Sequence, residues 1–534
     1  MAIPSRPLPL TFEEPPFPNL RRFSRTWKQP RIEGSLSTQM IRESRVNNML
    51  KFVALHPSLE EVMLWFDDLD RSHIWSLTSI LRHEHDLQRR LGHRHACLRK
   101  IHIDFNYYGY DTSESMHDFF REIALYSRGP ASGIRSDGVR GSSSSATLST
   151  ITTPVAASMH SSLESFHFRR VDKRDLNGSG GGYTYEEDDD SDDVDDSDND
   201  DSNEDNTNLY PADPFTSDLI SSNCGLKELQ ISLPGLVSER QLLLPLLRRC
   251  PDLETLCLNW VHSVSAIVDL PLLLREHCTR LKRFSICEFS PRDKHLAHLI
   301  ESCVAGLSSL EILDRLVPMG ATSVEATARV HGGSLETLDL RGNRRWSSHY
   351  FLDLVTRCPR LQTLKASLEL RSMDSRGESI DYETRLAISW PFRESLRVLD
   401  LTLYRGSDME VESKYRPGDG SLTDQYIDYM YTQVGALHRL EELSLGGWML
   451  LLRVEWGLPK LAGLKRLRLL DLRNHTFIKW SAVDVEWISD NWTGLKEIKG
   501  IKRYVDPQLL EYLETLEQAD NKTRDFTVGF TAFK

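Results

Sequence analysis

One phrase recurs along this chain: three apolar residues spaced as Leu-x-x-Leu-x-Leu. Side chains two residues apart point to the same face of a β-strand, so each phrase predicts a strand with one buried face. A unit of this size cannot bury that face alone and must stack on its neighbours. The phrase therefore predicts a repeat protein. It is clearest at Leu226-Leu229-Ile231, Leu253-Leu256-Leu258, Leu281-Phe284-Ile286, Leu335-Leu338-Leu340, Leu396-Leu399-Leu401 and Leu440-Leu443-Leu445.

The spacing of the phrase specifies the kind of repeat. Its first leucines between Leu226 and Leu361 are separated by 27, 28, 29, 25 and 26 residues, within the range of helix-containing leucine-rich repeats. Looser copies begin at Leu20, Leu59, Leu98, Leu163 and Leu495, and one more begins at either Leu464 or Leu467. The predicted fold class is α/β: a leucine-rich-repeat solenoid, curved like a horseshoe, with parallel strands on the concave face and helices outside.

One repeat shows how the sequence alternates helix and strand. Ser238 is a suitable helix N-cap, Glu239 follows in the first turn, and a leucine-rich helix ends before Cys250-Pro251. The strand phrase then begins at Leu253, with Leu256 and Leu258 predicted to point inward and their neighbours outward.

A long insertion interrupts the repeats between residues 127 and 215. It contains glycine- and serine-rich stretches and an acidic block, Glu186–Asp205, in which 14 of 20 residues are Asp or Glu. Low hydrophobicity and like charge do not repay the entropy of ordering, so we expect disorder here, except for a strand-like segment at 161–171. The predicted divisions are 1–126 for divergent N-terminal repeats, 127–215 for the insertion, 216–505 for the main array and 506–534 for a C-terminal cap and tail.

The acidic block has two interpretations. It is either a solvated spacer that keeps the loop extended, or a regulatory segment whose serines are phosphorylated by an acidophilic kinase and then attract a basic partner. The serines in question, each followed by acidic residues, are Ser191, Ser197 and Ser202.

Composition limits the cellular setting and the partners. Of the 78 acidic residues, 14 lie in the block and 64 lie elsewhere, against 65 Lys and Arg in the chain. The block therefore accounts for the net charge of −13. The balanced remainder favours neither nucleic acid nor a membrane surface as a partner. Eight cysteines without a CxxC pattern predict reduced, buried thiols and a cytoplasmic or nuclear protein. The chain shows no secretory signal, and its longest apolar run, at 242–247, is too short to span a bilayer.

No residue pattern in the chain predicts catalysis, a cofactor or a metal. No P-loop, dinucleotide-binding glycine fingerprint or nucleophile elbow is present, so we expect a protein that is not an enzyme. The passage from His83 to His102 is rich in histidine, with Cys97 inside it. Histidines two residues apart point about 200° apart on a helix, so we interpret them as solvated side chains and not as metal ligands.

The predicted binding site is the concave face, where outward side chains project from rigid strands. Trp, Tyr and Arg dominate binding energy in protein interfaces, so the outward and strand-end residues of these types, with one lysine, are the candidates. They are Trp260, Arg283, Arg341, Trp346, Lys365, Tyr404, Arg405, Trp448 and Arg473. An alternative for the aromatic residues is that they fold back over the edge of the solenoid. We expect a monomer that binds a protein partner on this face.

The segments Cys250–Leu258 and Cys358–Leu364, with their Cys-Pro-x-Leu-x-x-Leu-x-Leu pattern, resemble the leucine-rich repeats of fungal F-box proteins. That resemblance implies a substrate receptor of a cullin-type ubiquitin ligase, in which an F-box binds a Skp-type adaptor. No F-box is recognisable before the first phrase, because Leu8-Pro9-Leu10 is too short; the module is missing, truncated or diverged. A different class of function, a leucine-rich-repeat regulatory scaffold or inhibitor without a ubiquitin connection, stays open.

Overall fold

A computed structural model gives the fold of part of the chain. The described residues are 21–27, 59–69, 74–75, 77–79, 81–82, 99–108, 119–120, 122–123, 163–170, 225–232, 239–259, 264–287, 291–313, 319–341, 346–370, 388–405, 422–447, 452–472 and 480–500. They fall in two compact units. The first unit takes the described residues that lie within 1–171, 222–283 and 302–305, and the second takes the described residues that lie within 284–301 and 306–534.

The first unit is a parallel sheet with helices between its later strands. Its strands follow one another in chain order, each paired in parallel with the next. They are β1 (Arg22–Trp27), β2 (Glu61–Leu69), β3 (Lys100–Tyr108), β4 (Ser165–Arg170), β5 (Glu228–Ser232) and β6 (Thr255–Asn259), with helices α1 (Glu239–Leu247) and α2 (Val264–His277). The phrase at Leu163 therefore forms a strand of this sheet, β4.

The second unit repeats the same alternation. Its strands are also parallel and in chain order, with a two-residue strand, β10, paired to the side of β11. The elements are β7 (Arg283–Cys287), α3 (Asp293–Glu301), β8 (Ser309–Ile312), α4 (Ala321–His331), β9 (Thr337–Leu340), β10 (Trp346–Ser347), α5 (Ser348–Val355), β11 (Thr363–Leu370), β12 (Val398–Arg405), α6 (Leu422–Gly435), β13 (Glu442–Gly447), a 3-10 helix (Leu458–Gly463), β14 (Leu469–Asp471), α7 (Ala482–Asn491) and β15 (Glu497–Lys499).

The leucines of the strand phrase form the core of both units. All 18 apolar residues of the six clearest phrases are at most 2% exposed. In β6 the burial alternates as predicted, with Leu256 and Leu258 buried and the residues between them half-buried. At the C-terminal copy, Leu467, Leu470 and Leu472 take the phrase positions, which decides between the two predicted registers. The predicted α/β repeat fold is confirmed. The predicted divisions at 126, 215 and 505 lie outside the described residues.

A pair of backbone hydrogen bonds joins each repeat to the next. The carbonyl of the residue before a strand accepts two N–H groups from the following repeat, as when Arg21 O accepts from Glu60 N (2.8 Å) and Glu61 N (3.0 Å). The same pair of bonds recurs in the second unit, where Gln362 O accepts from Arg397 N (2.8 Å) and Val398 N (3.0 Å). These bonds involve main-chain atoms alone, so they align neighbouring repeats whatever side chains are present.

In the first unit this strand-start edge carries charges of alternating sign. The row runs Arg21, Glu60, Arg99, Glu164, Lys227, Glu254, Lys282. Neighbours pair across it, with 2.6 Å between Arg99 Nη2 and Glu164 Oε1 and 3.2 Å between Lys282 Nζ and Glu254 Oε2. The Glu164 hydrogen bond, with the charge of Glu164, raises the pKa of Arg99.

In the second unit, polar groups link successive helices, and the first of them is the half-buried Asp293. Asp293, at the start of α3, accepts from Gly320 N (2.9 Å), Thr322 N (2.9 Å) and Ser323 N (3.1 Å), and so satisfies the first N–H groups of α4. Burial would raise the pKa of Asp293, but the hydrogen bonds from Ser323 and Thr322 outweigh it and lower that pKa.

His331 makes a second link between these helices, and this one is buried. Its ring is 0% exposed. Leu307 N–H donates to Nδ1 (3.1 Å), so the proton lies on Nε2, which donates to Ile300 O (2.8 Å). Burial lowers the pKa of His331, which keeps the ring neutral.

Cysteines occupy the core as small apolar side chains. Cys250, Cys278, Cys303 and Cys358 are each at most 1% exposed. Burial raises the pKa of Cys278 to about 12 and that of Cys358 also to about 12. These thiols stay protonated and are poor nucleophiles. Within the described part of the chain, no helix is both long and apolar enough to cross a bilayer.

Candidate functional site

The outward side chains of the second unit form its strand face, the side of the sheet opposite the buried leucines. Because the strands are in register, one outward residue from each strand lies in a row across the sheet. Neighbouring strands are about 4.8 Å apart, so side chains in the row can contact one another. The row is Glu311, Asp339, Lys365, Asp400, Ser444, Asp471, Lys499.

Asp339, the second residue of this row, forms a charged cluster with Arg341, Lys365 and Asp400. The Arg341 guanidinium donates from Nε to Asp339 Oδ1 (3.0 Å) and from Nη2 to Asp339 Oδ2 (2.8 Å). Lys365 Nζ lies 3.9 Å from Asp339 Oδ2, and Arg341 Nη1 lies 3.6 Å from Asp400 Oδ2. Burial would lower the pKa of Arg341, but the hydrogen bonds and charge of Asp339 raise it. The guanidinium is therefore held in one orientation with its outer edge exposed.

Asp400 is the least compensated acid of the cluster. Its side chain is 17% exposed. Burial raises its pKa, with Asp339 adding to the effect, while a hydrogen bond with Ser444 and the charge of Arg341 oppose it. A carboxylate that has lost much of its water without a bidentate partner gains from a new donor. A partner that presents a basic or hydroxyl group could supply that donor.

The strand face of the second unit has an excess of acidic side chains. Among the side chains described on β8 to β15, together with Arg341 directly after β9, six are acidic and three are basic. The acids are Glu311, Asp339, Asp400, Glu442, Asp471 and Glu497, and the bases are Arg341, Lys365 and Lys499. Because rigid strands hold these side chains in place, they lose little conformational entropy when a partner of opposite charge binds.

The strand face of the first unit is organised around two histidines. His102 and His167 occupy neighbouring positions on β3 and β4, and their ring centroids are 4.1 Å apart. His167 Nε2 lies 3.0 Å from Glu228 Oε1, and the Ser165 hydroxyl donates to Glu228 Oε2 (3.0 Å). The His167 hydrogen bond lowers the pKa of Glu228 to about 2. Burial and the adjacent His167 lower the pKa of His102.

These histidines do not assemble a metal site. No group of three His, Cys, Asp or Glu side chains in the described part of the chain has the geometry to hold a metal ion. His83, His85, His93, His95 and Cys97 lie outside that part.

The structure places three of the nine predicted binding residues on an outward surface. Arg341 is exposed and Lys365 is half-buried in the charged cluster, whereas Arg283 is exposed at the start of β7. The backbones of Tyr404 and Arg405 pair with β11 at the end of β12, and their side chains are not described. The positions outside the described residues are Trp260, Trp448, Arg473 and the serines Ser191, Ser197 and Ser202.

Trp346 corrects the prediction. Its side chain is 0% exposed and packs edge to face against Phe351, with ring centroids 5.7 Å apart. A partner cannot reach an indole in this position, so Trp346 belongs to the core. Residue type alone suggested a contact residue, but the short strand β10 turns the indole inward beside β11.

The histidine pair was missed by the sequence analysis, although a signal for it exists. His102 lies between Ile101 and Ile103, and His167 lies between Phe166 and Phe168, at the same place in successive phrases. Aligning the phrases by position would have brought the two rings together. The interhelical hydrogen bonds of Asp293 and His331 carry no such local signal, because their partners lie 24 to 31 residues away.

Comparison with known proteins adds little. No family model matches the chain, and no curated protein matches it. Among solved structures, the crystal structure of a Rad7 and Elc1 complex from yeast is similar at 17% identity and a TM-score of 0.31, covering 53% of this chain and 72% of the other. A protein from Bacteroides fragilis is similar at 11% identity and a TM-score of 0.28, covering 52% of this chain and 76% of the other.

Proposed function

We propose that this chain is a non-catalytic recognition protein that binds another protein on the strand face of its second unit. The observation that supports this most is the cluster of Asp339, Arg341, Lys365 and Asp400, in which charged groups are held by the sheet while part of each cation stays exposed. Arginines of this kind are common at binding hot spots, because a fixed guanidinium donates several hydrogen bonds at little entropic cost.

A finer proposal concerns the pathway. The Cys-Pro-x-Leu-x-x-Leu-x-Leu pattern resembles F-box repeats, so we propose that the bound protein is a substrate for ubiquitination and that a Skp-type adaptor connects this chain to a cullin-type ligase. A regulatory scaffold or inhibitor without a ubiquitin connection is the competing proposal. Both use the same strand face and differ in the second partner.

The test compares full-length variants by proximity labelling in cells and by co-purification. Thr363→Arg adds a bulky cation to the strand face without deleting any contact of the charged cluster, and Arg341→Ala removes the exposed guanidinium. Lys294→Glu, on the exposed side of α3, is the control. We expect one or more proteins to lose at least tenfold in labelling with both strand-face variants and to keep their labelling with the control.

The outcomes separate the two levels of the proposal. If no protein depends on Thr363 and Arg341, recognition by the strand face is wrong. If such a protein is found and a purified Skp-type adaptor fails to co-purify stoichiometrically with the chain, recognition stands and the ubiquitin connection is wrong.

A further inference from the structure

A second charged surface lies on the second unit, at the turns that lead into its last strands. We call it the basic edge, and its residues are all exposed: Arg397, Arg439, Lys465, Arg466, Arg468 and Lys496. It is distinct from the strand face, because these side chains precede the strands instead of alternating along them. The inference below does not rest on the proposed function.

Backbone pairing fixes the geometry of this edge. Glu441 N donates to Arg397 O (2.8 Å), Arg468 N donates to Glu441 O (2.8 Å), and Lys496 N donates to Arg468 O (2.8 Å). These four residues therefore form a row with one strand spacing, about 4.8 Å, between neighbours. Lys465 and Arg466 lie in the turn just before Arg468, which makes the edge densest in charge at β14.

The positive charges of the edge are only partly compensated. Glu441 is shared by two arginines, at 3.5 Å from Arg397 Nη1 and 3.9 Å from Arg468 Nη1, and Arg439 Nε lies 3.7 Å from Glu394 Oε2. Among described residues, no carboxylate lies within ion-pair distance of Lys465, Arg466 or Lys496. Six bases against two acids leave a local excess of four positive charges.

We propose that the basic edge binds the acidic block of the same chain, Glu186–Asp205. That block is complementary in charge, with 14 carboxylates in 20 residues. Covalent attachment makes the association intramolecular, so its effective concentration is set by the length of the linking segments and not by the concentration of free protein. The long side chains of Arg and Lys can adapt to an extended chain whose residues repeat every 3.3 to 3.6 Å, roughly.

A nucleic acid or any other free polyanion has to compete with the acidic block for this edge, because the block is part of the same chain. The association is electrostatic and on the surface, so salt should weaken it strongly. Phosphorylation of Ser191, Ser197 or Ser202 would add close to two negative charges each and strengthen it.

Zero-length carbodiimide cross-linking of the full-length chain tests the proposal, because it joins amines only to carboxylates in direct contact. We expect cross-links from Lys465 and Lys496 to residues 186–205 at low salt and their loss at high salt. Arg466→Glu with Arg468→Glu leaves both lysines in place and should lower the yield at least tenfold. Arg248→Glu with Arg275→Glu, two exposed arginines of the first unit, is the matched control and should leave the yield unchanged.

Thermal unfolding of each variant verifies that it is folded before the yields are compared. A mixture of isotopically labelled and unlabelled chains separates contacts within one chain from contacts between copies. Absence of these cross-links, their persistence in the Arg466→Glu and Arg468→Glu variant, or their formation only between copies would each overturn the proposal. So would tight binding of a single-stranded oligonucleotide to the edge of the natural chain at low salt.

Discussion

The two units stack their repeats with the same backbone bonds, and both carry ion pairs at the strand-start edge; the second unit also links successive helices through the side chains of Asp293 and His331. In the first unit, exposed charges of alternating sign pair along the strand-start edge, as Arg99 and Glu164 do. In the second unit, the half-buried Asp293 and the fully buried His331 make hydrogen bonds between successive helices. Exposed ion pairs contribute little to stability because water screens them, whereas a buried polar group that loses its partner is costly. Backbone bonds therefore determine the order in which the repeats stack, whereas side chains determine how strongly the stacked repeats are held together.

The cores differ as well. In the first unit, Phe105, Phe119, Phe120, Phe166 and Phe168 form one aromatic cluster with ring centroids 4.8 to 6.5 Å apart. In the second unit, most of the equivalent strand positions are leucines, as at Leu338 and Leu340. The early phrases, whose spacing is irregular, thus have larger side chains in the core between strands and helices.

The largest expected effect tests the difference in core. Phe166→Ala removes a ring that is 0% exposed and contacts three others, and should destabilise the chain by about 3 to 5 kcal/mol. Leu338→Ala, at the same phrase position in the second unit, should cost about 2 to 5 kcal/mol. Urea unfolding with separate probes in the two units measures both. A cost below about 0.5 kcal/mol for either, far under the usual range for a core residue, would mean that the side chain does not point inward.

The next effect tests the hydrogen bonds that Asp293 makes between helices. Asp293→Ala leaves the first N–H groups of α4 without their acceptor and should cost about 1.5 to 3 kcal/mol, as for hydrogen bonds to a charged group. Because the pKa of Asp293 is lowered in the folded chain, this stability is present above the unfolded carboxyl pKa of about 3.9 and is lost as the pH falls below it. Unfolding measured from neutral to acidic pH, with Lys294→Ala as the control, follows it.

His331 gives a smaller effect at milder pH. Its folded pKa lies below the unfolded value of about 6.5, so the unfolded chain binds more protons and stability falls as the pH drops below about 6.5. His331→Gln should flatten this part of the stability profile. His102→Gln, in the first unit, should also flatten the stability profile, because the pKa of His102 is lowered in the folded chain as well. A variant profile parallel to that of the natural chain would show that His331 does not titrate in this way.

The smallest effect tests the exposed edge of the first unit. Arg99→Ala removes the ion pair with Glu164, but the Arg99 side chain is 47% exposed, so the cost should be about 0.2 to 1 kcal/mol and should shrink in high salt. Chemical denaturation with urea at two salt concentrations measures it. If Arg99→Ala costs as much as Asp293→Ala, the distinction between the two kinds of link fails.

The sequence predicted what depends on local spacing. Period-2 alternation identified Leu256 and Leu258 as inward, because a strand turns every second side chain to the same side. The order of parallel strands followed from repetition, since each repeat can bury its leucines only against the next. The same spacing placed Arg341 and Lys365 outward.

What could not be predicted depends on contacts between repeats. Trp346 looks like a surface residue in the sequence, and only the pairing of β10 with β11 makes it buried. The choice between Leu464 and Leu467 was equally undetermined, because both are apolar and both are buried; hydrogen bonds from Arg468 N and Leu469 N to Glu441 O decide it.

The paired main-chain bonds at the start of each strand have a consequence for how such a chain evolves. Since the carbonyl and both N–H groups belong to the backbone, mutation can rewrite the charges of this edge repeat by repeat while neighbouring repeats stay aligned. Proline is excluded from the two donating positions, because it has no N–H. The chain can thus acquire new patterns of surface charge at this edge without changes to its core.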